Sequence, residues 1–405
     1  MMILSKKGLI GTLLIAGLVM TGSVLAGGTI KIDDTKWLSI GGGLITNLEA
    51  IDNGSANNNW SNNFNLGHAR LYFNGQVHDN IKFEFNTECG NCSGSTAGAT
   101  DIFVLDAIAK FEFNDMVNVW VGRQLVPSDR AELDGPFYQN TLSFNRTPFY
   151  PNDQFNQSAG RYGRDDGINF WGATGPDNRL TYVAGVFDGN SLSDVNGDDN
   201  LLYAARVSYN LWNVENNPGY YTSSGYYGNA GDIFTISAAT QYQEDGVGGG
   251  TTNTFANGGN GSADFWGSSV DVLIEKVLGN GGVMTAEGEW KHFELNGLSG
   301  VAAASANTSN IFEGNAYTGT LLYLMPGKVG IGQLQPYTRY TKNNASFTAD
   351  SEEAEVGMNY IIDGYNARIG VWYQYGDINS MGRDYLSTTT GQHQSAVKAA
   401  IQIQF

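Results

Sequence analysis

The sequence predicts an all-β chain that forms a transmembrane antiparallel β-barrel of about 16 strands. Three observations support this prediction. The last thirteen residues alternate between apolar and polar side chains, strand-like runs recur along the chain, and the connections between these runs alternate between long and short. An apolar N-terminal leader agrees with export from the cytoplasm.

The closing segment, residues 393–405, has one apolar and one polar face. Lys398, Gln402 and Gln404 occupy one parity. The opposite parity is apolar throughout its last five positions: Val397, Ala399, Ile401, Ile403 and Phe405. This period of two is that of a β-strand, and in a membrane barrel the apolar face meets lipid while the polar face meets water. A final Phe on such a strand resembles the C-terminal signal of bacterial outer-membrane proteins.

The N-terminus has the features of a secretory signal peptide. Lys6 and Lys7 precede an apolar run over residues 8–24, and the small residue Ala26 ends the segment. We predict that residues 1–26 are a cleaved signal peptide. The alternative is a single membrane anchor, but the run is somewhat short for a spanning helix and no second run follows it.

The composition is acidic and rich in glycine and aromatic residues. About 380 residues follow the leader, which suits one large barrel domain over residues 27–405. Two of the 22 Lys and Arg residues lie in the leader, so 20 basic side chains remain against 40 acidic ones. This balance argues against a nucleic-acid partner, because phosphates need a basic face. The 54 Gly, 21 Tyr and 20 Phe residues are typical of barrel turns and aromatic girdles.

The only two cysteines, Cys89 and Cys92, lie close together in the sequence. An exported chain meets an oxidising compartment, so we favour a local disulfide between them. A c-type haem would need a histidine after the second cysteine, where this chain has Ser93. A zinc site would need further ligands nearby, and none are evident, so we expect no metal site.

Sixteen strand-like runs follow one another from residue 36 onward. Most of them alternate with a period of two, and none has the pattern of a long amphipathic helix. The runs lie near 36–48, 64–78, 80–88, 101–113, 116–124, 165–174, 178–187, 200–213, 231–243, 263–277, 282–295, 311–325, 331–342, 350–362, 364–377 and 393–405.

The connections between these runs segregate by length. Turn-forming pairs such as Asn114-Asp115 make the short connections, whereas the long ones include 125–164 and 244–262. Outer-membrane barrels have this arrangement, with short periplasmic turns and long external loops. Residues 214–230 break the rule, since they should form a short turn but are long. Either this turn is extended or a strand has been misassigned there.

An even strand number places both termini on the same, periplasmic side of a barrel. Sixteen strands also leave a water-filled lumen, whereas a barrel of eight strands is filled by its own side chains. The strand number therefore favours a pore.

Several stretches of the chain resemble the porin O and P family of Gram-negative bacteria, the phosphate-selective porin type. They are ARLYFNGQVHDNIKFEFNTE at 69–88, VWVGRQLVPSDRAEL at 119–133, RDDGINFWG at 164–172 and RLTYVAGVFDGN at 179–190. The resemblance covers essentially the whole chain after the leader. It implies a sixteen-stranded trimeric channel whose third loop folds inward and constricts the pore. The family includes members that pass small neutral solutes.

The lumen-facing parity departs from the phosphate-selective pattern, which lines the pore with a ladder of Arg and Lys. The candidate pore-lining basic residues are Arg70, Lys82, Lys110, Arg206, Lys291, Arg368 and Lys398. The acidic residues on the same parity are Glu84, Glu88, Asp106, Glu112, Asp271, Glu275, Glu287, Glu289, Glu353 and Glu355. Because ring charges set ion preference, we expect weak selectivity or a cation preference, and phosphate specificity is not carried over.

Residues 125–164 are the expected constriction, mainly on the resemblance. An inward fold would bury aromatic residues on the wall and set arginines against carboxylates across the pore. The candidate constriction residues are Arg123, Asp129, Arg130, Glu132, Asp134, Arg146, Arg161 and Arg164. The alternative is an external loop that packs on its neighbours with its arginines in ordinary ion pairs. Arg123 lies at the end of a strand, and the alternative role for its side chain is contact with carbonyl groups of the loop.

Two further constellations carry weaker signals. The acidic loop 188–199 has oxygen ligands that suit Ca²⁺, but its spacing does not match an EF-hand, so we favour a solvated loop and expect no cofactor. His393 and Ser395 share a strand face, as would a hydrolase pair, but the sequence places no third partner beside them. For Glu287 and Glu289 we expect a structural role rather than catalysis.

The sequence therefore predicts a non-enzymatic outer-membrane porin for the passive diffusion of small hydrophilic solutes or ions. Its expected partners are outer-membrane lipid, lipopolysaccharide, these solutes and two further copies of the chain. The alternative is a barrel without transport that acts as a surface or adhesion protein or as a scaffold for a partner.

Overall fold

The computed structural model shows a closed antiparallel barrel and describes residues 27–52, 59–89, 102–144, 147–148, 163–189, 200–248, 262–296, 312–346, 350–378 and 393–405. Sixteen strands in these ranges form the ring. They are β2 Trp37–Ile51, β3 Ser61–His78, β4 Ile81–Cys89, β5 Ile102–Glu112, β6 Asn118–Leu125, β7 Arg164–Thr174, β8 Leu180–Phe187, β9 Leu202–Asn210, β10 Ile233–Gly248, β11 Ser262–Val277, β12 Val283–Asn296, β13 Gly314–Leu324, β15 Gly332–Ala345, β16 Ser351–Asp363, β17 Ala367–Gly376 and β18 Gln394–Gln404.

Two short strands lie beside the ring. β1 Gly28–Lys31 pairs with the start of β2, and β14 Lys328–Val329 pairs with the start of β15. One short helix, α1 Arg130–Asp134, lies between β6 and β7. Among the described residues no helix is long and apolar enough to cross a membrane. The predicted signal peptide, residues 1–26, lies outside the described residues and stays a prediction.

The closing strand completes the ring as predicted. β18 pairs antiparallel with β2, from Ala396 opposite Ile51 to Gln404 opposite Gly43. The amide of Phe405 donates to the carbonyl of Gly42 at 3.0 Å, so pairing continues to the last residue. Each of the sixteen predicted runs overlaps one strand of the ring, which confirms the predicted fold class.

The connection between β9 and β10 contains residues 214–230, which the sequence showed to be longer than the other turns on this side. Thr235 on β10 lies opposite Asn210 on β9, so the two strands are direct neighbours and no strand was misassigned. Residues 211–232 are therefore an extended connection on the side of the barrel where the other connections are short turns.

The outward face carries two rows of aromatic residues. Tyr203, Tyr242 and Trp266 lie side by side on three neighbouring strands near the long-loop end. Trp212 and Phe234 contact each other near the short-turn end, with ring centroids 5.4 Å apart. Exposed aliphatic side chains such as Val371 occupy the band between these ends. Aromatic girdles that flank an apolar band are typical of barrels that face lipid.

We predict that a charge on this band destabilises the barrel. Val371 is 51 % exposed in the middle of β17, so Val371→Arg should cost roughly 2–4 kcal/mol in lipid vesicles. The control is Ile32→Arg, because Ile32 is 67 % exposed in the turn after β1. The measurement is the free energy of unfolding by denaturant in vesicles. An equal cost for both variants would contradict a lipid-facing band at Val371.

Candidate functional site

The segment that follows β6 lies inside the ring. Side chains from seven strands of the wall donate hydrogen bonds to its main-chain carbonyls. The pairs are Arg206 to Ser128, Gln241 to Pro127, Lys291 to Pro148, Arg339 to Ser143, Asn359 to Asn140, Arg368 to Gln139 and Gln402 to Phe137. These donors lie on β9, β10, β12, β15, β16, β17 and β18, so the described residues 127–144 and 147–148 lie inside the lumen. We call residues 125–144 the inner segment.

Helix α1 forms in the inner segment because its sequence supplies both caps. The side chain of Asp129 accepts a hydrogen bond from the amide of Glu132 at 3.1 Å, which is the usual N-cap geometry. Gly135 ends the helix with φ of +58°, a conformation that glycine adopts without steric cost. The helix therefore holds Arg130 and Asp134 in fixed positions within the lumen.

Arg130 is the centre of a buried charge cluster. Its guanidinium donates to both oxygens of Glu215, at 2.7 and 2.8 Å, and to Asp271 at 3.2 Å. Arg206 on β9 shares Asp271, at 2.6 Å. Two cations thus face two carboxylates in a region without solvent exposure, a pairing that offsets their loss of hydration.

Three further acids, the N-cap Asp129 and two residues of α1, are buried beside this cluster. Asp129 also pairs with Lys291 on β12 at 2.8 Å, and Glu132 is 2 % exposed. Asp134 accepts a hydrogen bond from the hydroxyl of Ser224. Burial, and next the nearby Glu287 carboxylate, raise the pKa of Asp134 well above its ordinary value, although Arg130 acts in the opposite direction.

The remaining predicted constriction residues are not all brought together. Arg164 begins β7 and pairs with Asp106 on the inward face of β5 at 3.0 Å. Arg146 and Arg161 lie outside the described residues. Arg123 faces outward, opposite Ala107, and pairs with Asp166 at 2.7 Å. Including Arg123 was therefore wrong, because period-two alternation on β6 places it on the face opposite to that of buried Trp120.

Each basic residue predicted to line the lumen has a partner there. Arg368 donates to Gln402 at 2.8 Å as well as to the inner segment. Lys291 also lies 3.5 Å from Glu289, in addition to Asp129. Four other pairs join neighbouring wall strands: Arg70 with Glu88 at 2.5 Å, Lys82 with Glu112 at 2.6 Å, Lys110 with Glu84 and Lys398 with Glu49 at 3.6 Å. The pair of Arg206 with Asp271 joins β9 to β11 across β10.

One side of the lumen is apolar. Trp120 is fully buried and packs against Trp171, Tyr220 and Tyr221 at ring-centroid distances of 5.4–5.5 Å. The ammonium group of Lys110 lies 3.8 Å from the centre of a Trp120 ring. This cluster occupies space that an open channel would leave to water.

The opposite side of the lumen contains a small polar cavity of about 20 Å³, which has room for one water-sized molecule. Glu287 lies in its wall and accepts a hydrogen bond from Asn140 at 2.9 Å. Glu289, the other acid of this pair, accepts from the amide of Ala131 at 3.4 Å. The cavity is lined by Ala131, Gln139, Asn140, Thr141, Ser224, Glu287, Thr318, Thr320 and Arg339.

Sequence reasoning missed two groups of lumen residues. Arg339 was not among the candidates, although it shares its parity with buried Tyr337 and Thr341 on β15 and could have been found in this way. Residues 214–230 were noted only as an over-long turn. Their pattern YYTSSGYY, rich in aromatic and hydroxyl groups, was the available sign that Tyr220 and Ser224 are buried.

The other predicted sites are only partly described. Cys89 is disulfide-bonded, and Cys92 lies outside the described residues. Most of the proposed calcium loop 188–199 also lies outside them. His393 contacts acids rather than Ser395, with Glu352 at 3.9 Å and Asp377 at 3.8 Å. Within the described ranges, no group of three or more His, Cys, Asp or Glu side chains has the arrangement of a metal site.

Solved structures with this fold are outer-membrane proteins. The anion-selective porin from Comamonas acidovorans superposes with a TM-score of 0.58 at 12 % identity, covering 91 % of this chain and 100 % of the porin. OmpF of Salmonella typhi, solved with daunomycin, gives 0.56 at 14 % identity over 93 % of this chain and 100 % of OmpF. The trimer form of OmpT from Vibrio cholerae gives 0.53 at 13 % identity over 92 % and 100 %. At such identities the likeness shows the fold alone.

No protein-family model and no curated protein matches the chain. The resemblance to the porin O and P family therefore rests on the sequence stretches given above.

We predict opposite effects for two buried aspartates of the lumen. Asp271→Asn removes a counter-charge of Arg206 and Arg130 and should cost on the order of 3 kcal/mol. Asp134→Asn keeps an oxygen that accepts from Ser224 and should not destabilise the barrel. Because the pKa of Asp134 is raised in the fold, the wild type should lose stability as pH rises through that pKa, and Asp134→Asn should remove this loss.

The measurement for both variants is the temperature of unfolding in detergent over a series from acidic to alkaline pH, with the electrophoretic shift of the barrel as the readout of unfolding. A larger loss for Asp134→Asn than for Asp271→Asn would contradict this account of the cluster.

Proposed function

We propose that this protein is an outer-membrane porin that passes small hydrophilic solutes or ions by passive diffusion. The observation that supports this most directly is the inner segment, which crosses a closed sixteen-stranded barrel and is held by side chains from around the wall. A segment held in this way leaves a defined and narrow path. The likeness in fold to porins and the resemblance to the porin O and P family agree with a channel.

The path that we propose passes the polar side of the lumen. Glu287, Arg339, Thr318 and Thr320 surround the small cavity there, whereas the side of Trp120 is closed by aromatic packing. The cavity of about 20 Å³ has room for one water-sized molecule, and we take it as one position on this path.

We further propose that the channel prefers cations. The basic residues of the lumen are engaged in ion pairs or bind carbonyls of the inner segment. Glu287, in contrast, accepts from the amide of Asn140, and Glu275 accepts from the amides of Tyr226 and Gly228. We therefore take Glu287 as the charge that faces the path, and charge in a confined aqueous path selects the opposite ion.

The proposed setting is the bacterial outer membrane, reached through cleavage of the leader at residue 26. Lipid and lipopolysaccharide would surround the apolar band. We propose a homotrimer, by analogy with the trimer form of OmpT from Vibrio cholerae. Mass determination of the purified protein in detergent tests this, and a monomer would contradict it.

A second candidate function is a barrel without transport that serves as a surface protein or a partner scaffold. It is favoured by the Trp120 cluster and the inner segment, which both occupy part of the lumen. A measurement of conductance in a lipid bilayer distinguishes the porin from the barrel without transport.

We expect stable single-channel steps when the purified protein enters a planar lipid bilayer. Under a salt gradient the reversal potential should have the sign of a cation preference. The absence of steps from a correctly folded barrel would favour the second candidate. A strong anion preference would contradict the proposed charge of the path.

We predict that Glu287→Gln weakens the cation preference. One charge in water at about 4 Å is worth about 1 kcal/mol, so the permeability ratio should fall by up to about fivefold. The control is Glu352→Gln, because Glu352 is 42 % exposed and hydrogen-bonds to Tyr340 on the outward face. Equal effects of the two substitutions would exclude Glu287 from the path.

A further inference from the structure

The extended connection between β9 and β10 enters the lumen from the short-turn side. Neighbouring antiparallel strands need only a two-residue turn, yet residues 211–232 join these two. Asn213 forms a bridge with Ile233, which closes the base of the connection at the rim of the barrel. The intervening residues, 214–230, turn away from the rim, and we call them the turn segment.

The turn segment contacts both the guanidinium group and the main-chain carbonyl of Arg130 in the inner segment. Glu215 pairs with the guanidinium at 2.7 Å, and the carbonyl of Ser223 accepts from the same group at 2.8 Å. The hydroxyl of Thr222 donates to the main-chain carbonyl of Arg130 at 3.1 Å. Burial raises the pKa of Glu215, but Arg130 outweighs it and holds that pKa below its ordinary value, so Glu215 is charged at neutral pH.

The tip of the turn segment continues along the inner segment. The amide of Ser224 donates to the carbonyl of Tyr138 at 3.0 Å, and its hydroxyl donates to Asp134. In return, the side chain of Asn140 donates to the carbonyl of Ser224. The two segments thus satisfy several of one another's polar groups by direct hydrogen bonds.

The turn segment also contacts three separate parts of the wall. The hydroxyl of Tyr220 donates to the carbonyl of Leu125 at the end of β6, and Glu275 on β11 accepts from the amides of Tyr226 and Gly228. Tyr365, between β16 and β17, donates to the carbonyl of Gly225 at 3.1 Å. In the strand order these three points divide the ring into roughly equal arcs. A chain that reaches all three must lie across the opening.

We propose that the turn segment is a second constriction, a plug that narrows the lumen from the short-turn side and rests against the inner segment. This inference builds on the proposed channel. It assigns the narrowness of the path to two segments that enter from opposite ends, with Arg130 as the residue on which both depend.

The test replaces residues 214–230 with Asn-Gly, which suits a two-residue hairpin. A shortened protein that still shows the heat-dependent electrophoretic shift of a folded barrel should conduct several-fold more than the wild type. It should also admit sugars in a liposome-swelling assay that the wild type excludes. Equal conductance and equal exclusion would overturn the plug and leave the proposed channel standing.

A silent wild type with a conducting shortened protein would support the plug and count against the proposed function of the native barrel. Silence of both folded proteins would overturn the plug as well, because its removal would have opened nothing.

A point variant covers the case in which the shortened chain does not fold. The double variant Glu215→Ala/Thr222→Ala removes two contacts to Arg130 and should raise the frequency of high-conductance openings at least several-fold. The control is Glu244→Ala, which removes an exposed carboxylate on β10. Identical opening frequencies in the double variant and the control would overturn the plug.

Discussion

The structure depends on how the inward-facing charges of the wall are satisfied in a narrow lumen. A buried cation without a partner costs several kcal/mol, and here the partners are carboxylates and, for three arginines of the wall, main-chain carbonyls of the inner segment. Arg206, Arg339 and Arg368 each bind one of these carbonyls. These inward-facing arginines of the wall therefore also anchor the inner segment in the lumen.

Because these arginines anchor the inner segment, their charges have fewer interactions to offer to ions in the proposed channel. A cation that holds a carbonyl at 2.5–2.9 Å is not available to a passing ion. Under the proposed function, the charge that faces the path is Glu287, which accepts a hydrogen bond from the neutral side-chain amide of Asn140. Arg130 joins the inner segment to the turn segment, so the two proposed constrictions share one buried cluster.

Much of the fold could be predicted from the sequence. In a strand between lipid and lumen, apolar and polar residues alternate, and this alternation shows which face points outward. The closing strand shows this, since Val397, Ile401 and Phe405 are exposed outward while Gln402 is fully buried. The site was less predictable. Parity identified Arg206 and Lys291 as inward, but it could not identify Ser128 or Pro148 as their partners. Arg123 was placed at the constriction although parity on β6 directs it outward.

By itself the sequence determined the strands, their faces and the side on which connections are long, because these follow from a local period of two and from turn chemistry. Only the tertiary structure decided the contents of the lumen. Arg130 meets Glu215, 85 positions away, and Arg368 meets Gln139, 229 positions away. Such pairs depend on the path of two irregular segments through space, and no local pattern of side chains records that path.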